Sequence, residues 1–268
     1  MSVGGANLKA MDLSASQEFA SRLQYLEEIG STNTYLLEQA KDSAWPDFSV
    51  VVTDNQTSGR GRLDRVWEAG KGKALAVSVL VRPVEFGIDK YSWFPLMAGL
   101  AMHKTVASLI DAGDVGLKWP NDVQVNGEKI SGILAEVTAD GEGVVIGAGL
   151  NLLQSKAELP IPNATSLALC GVHGFSIDDV LVRYLAALKN LYLDFSDEQG
   201  DPVKSGLLES VIEVSSTIGR QVEVSLPDKS KFIGTAAGID GEGRLLVAIA
   251  EPTEIRAVAA GDIEHLRQ

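Results

Sequence analysis

GLKWPNDVQVNGEKISGILAEV, residues 116–137, carries two β-prone runs on either side of Asn126-Gly127. Asn-Gly between such runs is the strongest short hairpin signal, because both turn positions take φ > 0. It predicts two antiparallel neighbours, 116–125 and 129–137, with a further turn at Pro120-Asn121 inside the first arm. The second arm continues through a Gly-rich turn into another strand, 144–151. Strands joined by short hairpins fit an α+β fold with a mixed or antiparallel sheet, not a regular βαβ alternation.

Upstream, 23–29 reads as a strand, and Ser31 or Thr32 can N-cap a helix over 34–41. The β-branched run 48–53 and the apolar run 74–81 read as strands on either side of a loop of nearly twenty residues. Residues 93–110 show helical spacing and end at Asp111-Ala-Gly113. Shorter helices are expected over 15–23, 177–194 and 203–214, and residues 1–12 read as a frayed end. From Thr217 the texture changes to short β runs, 221–226, 231–239, 245–250 and 254–259, separated by Asp- and Gly-rich turns. Such spacing suggests a small barrel. Two domains are expected, 1–216 and 217–268.

Composition narrows the function. The formal net charge of −13 over 268 residues opposes general nucleic-acid binding, whose affinity comes from neutralising phosphates. One cysteine, Cys170, excludes an internal disulfide and a multi-cysteine zinc site, and is expected as a small buried residue. His103, His173 and His265 have no metal-ligand spacing, and His103 is expected to be packed or exposed on its helix. No run approaches the roughly 20 apolar residues of a membrane helix, and the N-terminus has no secretory h-region. A cytoplasmic location is the expectation.

Against this acidic background, Gln56-Thr-Ser-Gly-Arg-Gly-Arg62 opens a loop that also holds Arg65, Trp67, Lys71 and Lys73. Glycine lets a backbone approach a ligand closely, and arginine offers a planar fork of donors to carboxylate or phosphate. The loop reads as a clamp over a small anion, or else as a solvated loop with scattered charge. Lys118 at a strand end could hold a carboxylate or phosphoryl oxygen, though Lys118-Trp-Pro-Asn-Asp122 is also an ordinary turn. Gly147-Ala-Gly149-Leu-Asn151 could let a flat ring pack on the backbone, or could mark a bend.

Gly30-Ser-Thr-Asn33, Gln56–Arg62, Lys118–Asp122, Lys129-Ile-Ser-Gly-Ile-Leu-Ala-Glu136 and Gly147–Asn151 together resemble the ordered motif set of biotin protein ligases. The likeness runs from about residue 24 to the end and implies an α+β catalytic domain of the biotin/lipoate ligase type, followed by an SH3-like barrel. It implies that biotin and ATP, with Mg2+, form biotinyl-5′-AMP and pyrophosphate. Biotin then passes to one lysine of a biotin carboxyl carrier protein domain. By this resemblance Ser31, Thr32, Asn33, Gln56, Arg60, Gly61 and Gly132 would contact biotin. Arg62 and Lys118 would be catalytic, holding carboxylate and phosphoryl oxygens. Trp67, Asn121 and Asn151, with Arg62, would lie at the nucleotide. No residue is assigned as a metal ligand. The partner expected is the carrier domain, with neither nucleic acid nor membrane, and the enzyme is expected as a monomer or weak homodimer.

Two departures stand out. Leu63-Asp64-Arg65 replaces the usual Arg-Gly-Arg continuation of the loop, and Asp64 lowers its positive charge. Only about twenty residues precede the motif-bearing sheet, so a ligase without repressor function is expected. A lipoate ligase is the nearest rival, but its Arg-Arg…Gly-Gly-Gly pattern is not found. A non-catalytic ligand-binding module is the rival from another class.

Overall fold

A computed structural model describes residues 12–63, 65–251, 253–259 and 261–266. The N-terminal frayed end (save Asp12) and Asp64 therefore lie outside the described residues. A single turn of helix, α1 (Ser14–Gln17), precedes β1 (Arg22–Tyr25), so the helix expected over 15–23 is cut short. Next come α2 (Thr32–Gln39), β2 (Ser49–Thr53) and β3 (Ala74–Val81). Ser31 caps α2, accepting from the Thr34 N–H at 3.5 Å. A 3-10 turn (Ile88–Trp93) leads into α3 (Phe94–Ala107).

The hairpin predicted at Asn126-Gly127 is present. Both residues have positive φ, 51° and 82°, as a tight two-residue turn requires. It joins β5 (Asp122–Val125) to β6 (Glu128–Val137), while β4 (Val115–Lys118) pairs with β5 across the Trp119-Pro-Asn turn. With β7 (Val144–Asn151), these strands form one seven-stranded sheet in the order β1-β2-β3-β7-β6-β5-β4. Only β1–β2 is parallel. The central strands β3 and β7 are buried along their whole length.

Helix α3 packs against this sheet with α4 (Ile177–Asp197), whose Ser176–Asp179 capping box supplies a clean start. Trp93, Phe94, Met97, Met102, Tyr184 and Phe195 are fully buried there. At about 1.5–3 kcal/mol per large apolar side chain, this layer is the main source of stability. A smaller cluster around Leu36, Trp45 and Leu80 seats α2 beside β3 and β7. The expected helix over 203–214 is confined to α5 (Leu207–Glu213), after an αL Gly206.

The C-terminal module contains β8 (Gln221–Ser225), β9 (Lys231–Ile239), β10 (Leu245–Ile249), β11 (Glu254–Val258) and β12 (Asp262–His265). They form an antiparallel sheet in the order β11-β10-β9-β8-β12, and the fifth strand was not evident in the sequence. Val258 and Ile263, from the two end strands, bury in the same core as Val222, Val224 and Val247. The module is fastened at the β4 end of the large sheet. Trp119 donates its backbone N–H to Thr217 Oγ1 (3.1 Å) and its indole N–H to Gly243 O (3.0 Å). Trp93 Nε1 donates to Gly241 O at 3.0 Å.

Candidate functional site

The long loop after β2 is more ordered than its composition suggests. Trp67 N–H donates to Gly59 O (2.9 Å), Gly61 N–H donates to Arg65 O (2.7 Å), and Arg60 pairs antiparallel with Val66. This narrow hairpin lies over the sheet and encloses a cavity of about 850 Å³. All twelve residues singled out from the sequence line it, from Ser31 and Gln56 at one side to Lys118 and Asn151 at the other.

One end of the cavity is a polar network. Thr32 donates its backbone N–H to Gln56 Oε1 (2.8 Å), and Asn33 Nδ2 donates to Leu134 O (3.0 Å) and Glu136 Oε2 (2.9 Å). Arg60 closes the network with an ion pair to Glu136 at 2.9 Å. Thr32 and Asn33 are buried and Gln56 is half-buried, as a site for a polar head group requires.

The other end is cationic. Arg62 donates to Asn121 Oδ1 (3.1 Å) and to Gly261 O (3.3 Å), while Asn121 Nδ2 donates to Ile133 O (2.6 Å). Burial lowers the Arg62 pKa from its usual value, opposed by Asp262 and Asp122. Lys118 stands at the end of β4, half-buried, with no hydrogen bond or ion pair to any described residue. Burial lowers its pKa too; Asp122 counters that and Lys129 adds to it. A fixed, unpaired ammonium facing a cavity can bind an anion without first giving up a partner.

Between the two ends lies the Trp67 indole. Gly132 of β6 and Gly149 of β7 are register partners. A Cβ on Gly149 would come within 2.4 Å of the indole, and one on Gly132 within 3.3 Å. The ring therefore rests on a platform of two glycines. Its Nε1 is buried without a partner. Asn151 lines the cavity with its amide already engaged: its Nδ2 donates to Thr165 O (2.9 Å) and its Oδ1 accepts from Gln154 (3.0 Å). Its amide holds the following loop against β7.

Some lining residues had no assigned role in the sequence reading. Lys129 pairs with Asp122 at 2.6 Å, adding a second lysine to the cationic end. Both stand inside quoted motifs, so spacing alone could have suggested them. Asp262 and His265 come from β12, where nothing in the sequence signals a site. Asp262 forms an ion pair with Arg65, so the hairpin is clasped to the C-terminal module. His265 Nε2 lies 3.1 Å from Thr217 Oγ1, and burial, with Lys118 and Arg220, pushes its pKa down to about 4. His103 is packed, with Nε2 3.0 Å from Val115 O, and Cys170 is half-buried against the core. Among the described residues no three His, Cys, Asp or Glu side chains gather as a metal site, and no helix is long and apolar enough to cross a membrane.

Residues 25–151 match the family model described as biotin/lipoate A/B protein ligase, and residues 217–266 match the biotin protein ligase C-terminal domain. A biotin–[acetyl-CoA-carboxylase] ligase of Mycobacterium tuberculosis is 38% identical over 248 residues, covering 92% of this chain and 90% of that protein. A bifunctional ligase/repressor of Bacillus subtilis is 31% identical over 257 residues, covering 93% and 75%. The biotin protein ligase of Aquifex aeolicus, solved with biotin and ATP, superposes with a TM-score of 0.74 at 26% identity, covering 92% of this chain and all of that one.

Proposed function

The chain belongs to the biotin/lipoate A/B protein ligase family, and from that premise we propose that it activates biotin with ATP and transfers it to a carrier lysine. The observation that carries this reading is Lys118, an unpaired ammonium in the same cavity as a buried hydroxyl–amide pocket. In the first half-reaction a biotin carboxylate oxygen attacks the α-phosphorus of ATP, and the bond to pyrophosphate breaks. Two anions must approach, so cations are needed where charge builds. Lys118, Lys129 and Arg62 supply them. Mg2+ would be held mostly by phosphate oxygens and water, which suits the lack of a carboxylate cage among the described residues. In the second half-reaction the carrier's lysine amine attacks the acyl carbon, AMP leaves, and the ammonium proton is lost to solvent.

Ser31, Thr32, Asn33, Gln56 and the Arg60–Gly61 backbone hold the biotin head, with Gly132 leaving room beside it. Trp67 covers the adenylate side, where its unpaired Nε1 awaits an acceptor. Asn121 orients Arg62, and Asn151 shapes the nucleotide side from behind. We assign residues 1–216 to catalysis and 217–268 to the module that clasps the hairpin. The protein acts in the cytoplasm on a biotin carboxyl carrier domain, as a monomer or weak homodimer. The net charge of −13 argues against operator binding.

Pyrophosphate release with ATP and Mg2+, comparing biotin, lipoate and octanoate, tests the reading. A burst equal to the enzyme concentration is expected with biotin alone. Release with lipoate would transfer the chain to the sister activity, and silence with all three acids would leave a binding module.

The clasp carries its own prediction. Arg65 and Asp262 are partly exposed, so their pairing contributes modestly. Asp262→Asn is expected to speed loss of the adenylate to water about two- to fivefold, with the burst amplitude unchanged. An unchanged loss rate would remove the clasp from the account of retention.

A further inference from the structure

Ser78, in the middle of β3, does not line the cavity and is fully buried. Its Oγ lies 2.6 Å from Asn33 Oδ1 and 2.8 Å from Thr32 Oγ1. Asn33 Nδ2 points at two acceptors, Leu134 O and Glu136 Oε2, so Oδ1 can only accept. Ser78 must therefore give its single proton to Asn33. Its contact with Thr32 then needs the Thr32 hydroxyl proton. Gln56 is oriented as firmly, since its Oε1 accepts the Thr32 N–H at 2.8 Å. Thr32 Oγ1 also lies 3.0 Å from that same Oε1. The contacts Ser78–Asn33, Ser78–Thr32 and Thr32–Gln56 thus share two hydroxyl protons. One proton is missing; with the Thr32 proton turned toward Ser78, the shorter of its two contacts, Thr32 Oγ1 and Gln56 Oε1 face each other as two acceptors at the wall of the cavity.

Ser31, next along the chain, has the opposite polarity. Its Oγ accepts from Thr34 N–H, and its own proton goes to no described residue. The wall therefore offers an acceptor pair at Thr32–Gln56 beside a donor at Ser31.

We propose that Ser78 is a positioning residue that turns the Thr32 hydroxyl inward, so that the Thr32–Gln56 edge demands an N–H donor from the ligand. The inference rests on the biotin reading, in which a ureido N–H supplies the missing proton and the adjacent carbonyl meets Ser31. A dithiolane ring has no such donor. The polarity therefore selects a cyclic urea through a residue that never touches it.

The test uses biotin and its two cyclic carbamate analogues, in each of which one ring N–H is replaced by oxygen. KM is read from pyrophosphate release. In wild-type enzyme at least one carbamate is expected to show a KM about 30-fold above biotin, because it leaves buried acceptors unpaired. In Ser78→Ala the Thr32 proton is free to satisfy Gln56. The carbamate penalty should then fall to about threefold or less, while KM for biotin rises about tenfold and that for ATP is unchanged. Ser78→Cys, with a weak donor, should fall between, and serves if the alanine variant does not fold. Equal KM values for all three acids in wild type overturn the proposal, as does a full penalty retained in both variants. A joint rise of both KM values with a lowered Tm would reduce Ser78 to a packing role. Failure of wild type to release pyrophosphate with biotin would instead strike the underlying reading.

Discussion

Lys118→Ala is expected to slow biotin-dependent pyrophosphate release by about 10²–10³-fold while leaving Tm unchanged or slightly raised. The two effects have one origin. The ammonium is held half-buried without a partner, and desolvation lowers its pKa from the usual 10.5. A lysine whose folded pKa lies below its unfolded value binds its proton less firmly in the folded state. At neutral pH the protonated group therefore costs stability, and the cost disappears as pH rises through the folded pKa toward 10.5. Any gain in Tm for the alanine variant should be present at pH 7 and shrink as pH rises toward 10.5. Because the cation meets charge that develops during attack, kcat and kcat/KM should fall together. Wild-type pyrophosphate release in the variant, or a Tm loss in step with the activity loss, would remove Lys118 from the chemistry.

The parts of this arrangement that were legible in the sequence are those written locally. Asn126-Gly127 specifies its hairpin through backbone conformation, and Pro120-Asn121 specifies the turn that leaves Lys118 at a strand end. The Gly-Arg loop announces itself by composition. What stayed hidden depends on distant pairing. Strand β12 is four residues long and joins β8 some forty residues upstream, so neither its existence nor the approach of Asp262 and His265 to the cavity has a local signature. Ser78 looks like a small interruption in an apolar strand until Asn33 is seen against it. Asn151 lines the cavity, but the partners of its buried amide, Thr165 O and Gln154, lie on the following loop and have no signature in the motif. The hairpin made by residues 59–62 and 65–67 was similarly invisible, because Val66 and Trp67 pair with glycine and arginine that carry no alternating β pattern.

Gly147 and Gly149 sit two residues apart on one face of β7, yet an alanine at each should produce opposite failures. A Cβ at Gly147 would fall 2.1 Å from Asn33 Oδ1. Asn33 has nowhere to go, because Ser78, Leu134 O and Glu136 hold it on three sides. Overpacking of this kind costs about 1–3 kcal/mol, so Gly147→Ala should lower Tm by roughly 5 °C for a chain of this size. The network at the head-group end should break with it, raising KM for biotin at least about 100-fold. A Cβ at Gly149 would fall 2.4 Å from the Trp67 indole, a ring carried by a hairpin that can yield. Gly149→Ala should therefore keep Tm within about 2 °C and nearly normal biotin binding, but it should push the indole off its glycine platform. The adenylate then loses its cover. Pyrophosphate release without an acceptor should change from a single burst to continuous turnover, as water reaches the mixed anhydride. Calorimetry and a burst assay on the two variants separate these outcomes. If both lose stability and biotin binding alike, the glycine platform is only packing and Trp67 is not the cover. If Gly149→Ala alone turns the burst into steady release, the indole on β7 keeps the intermediate from water.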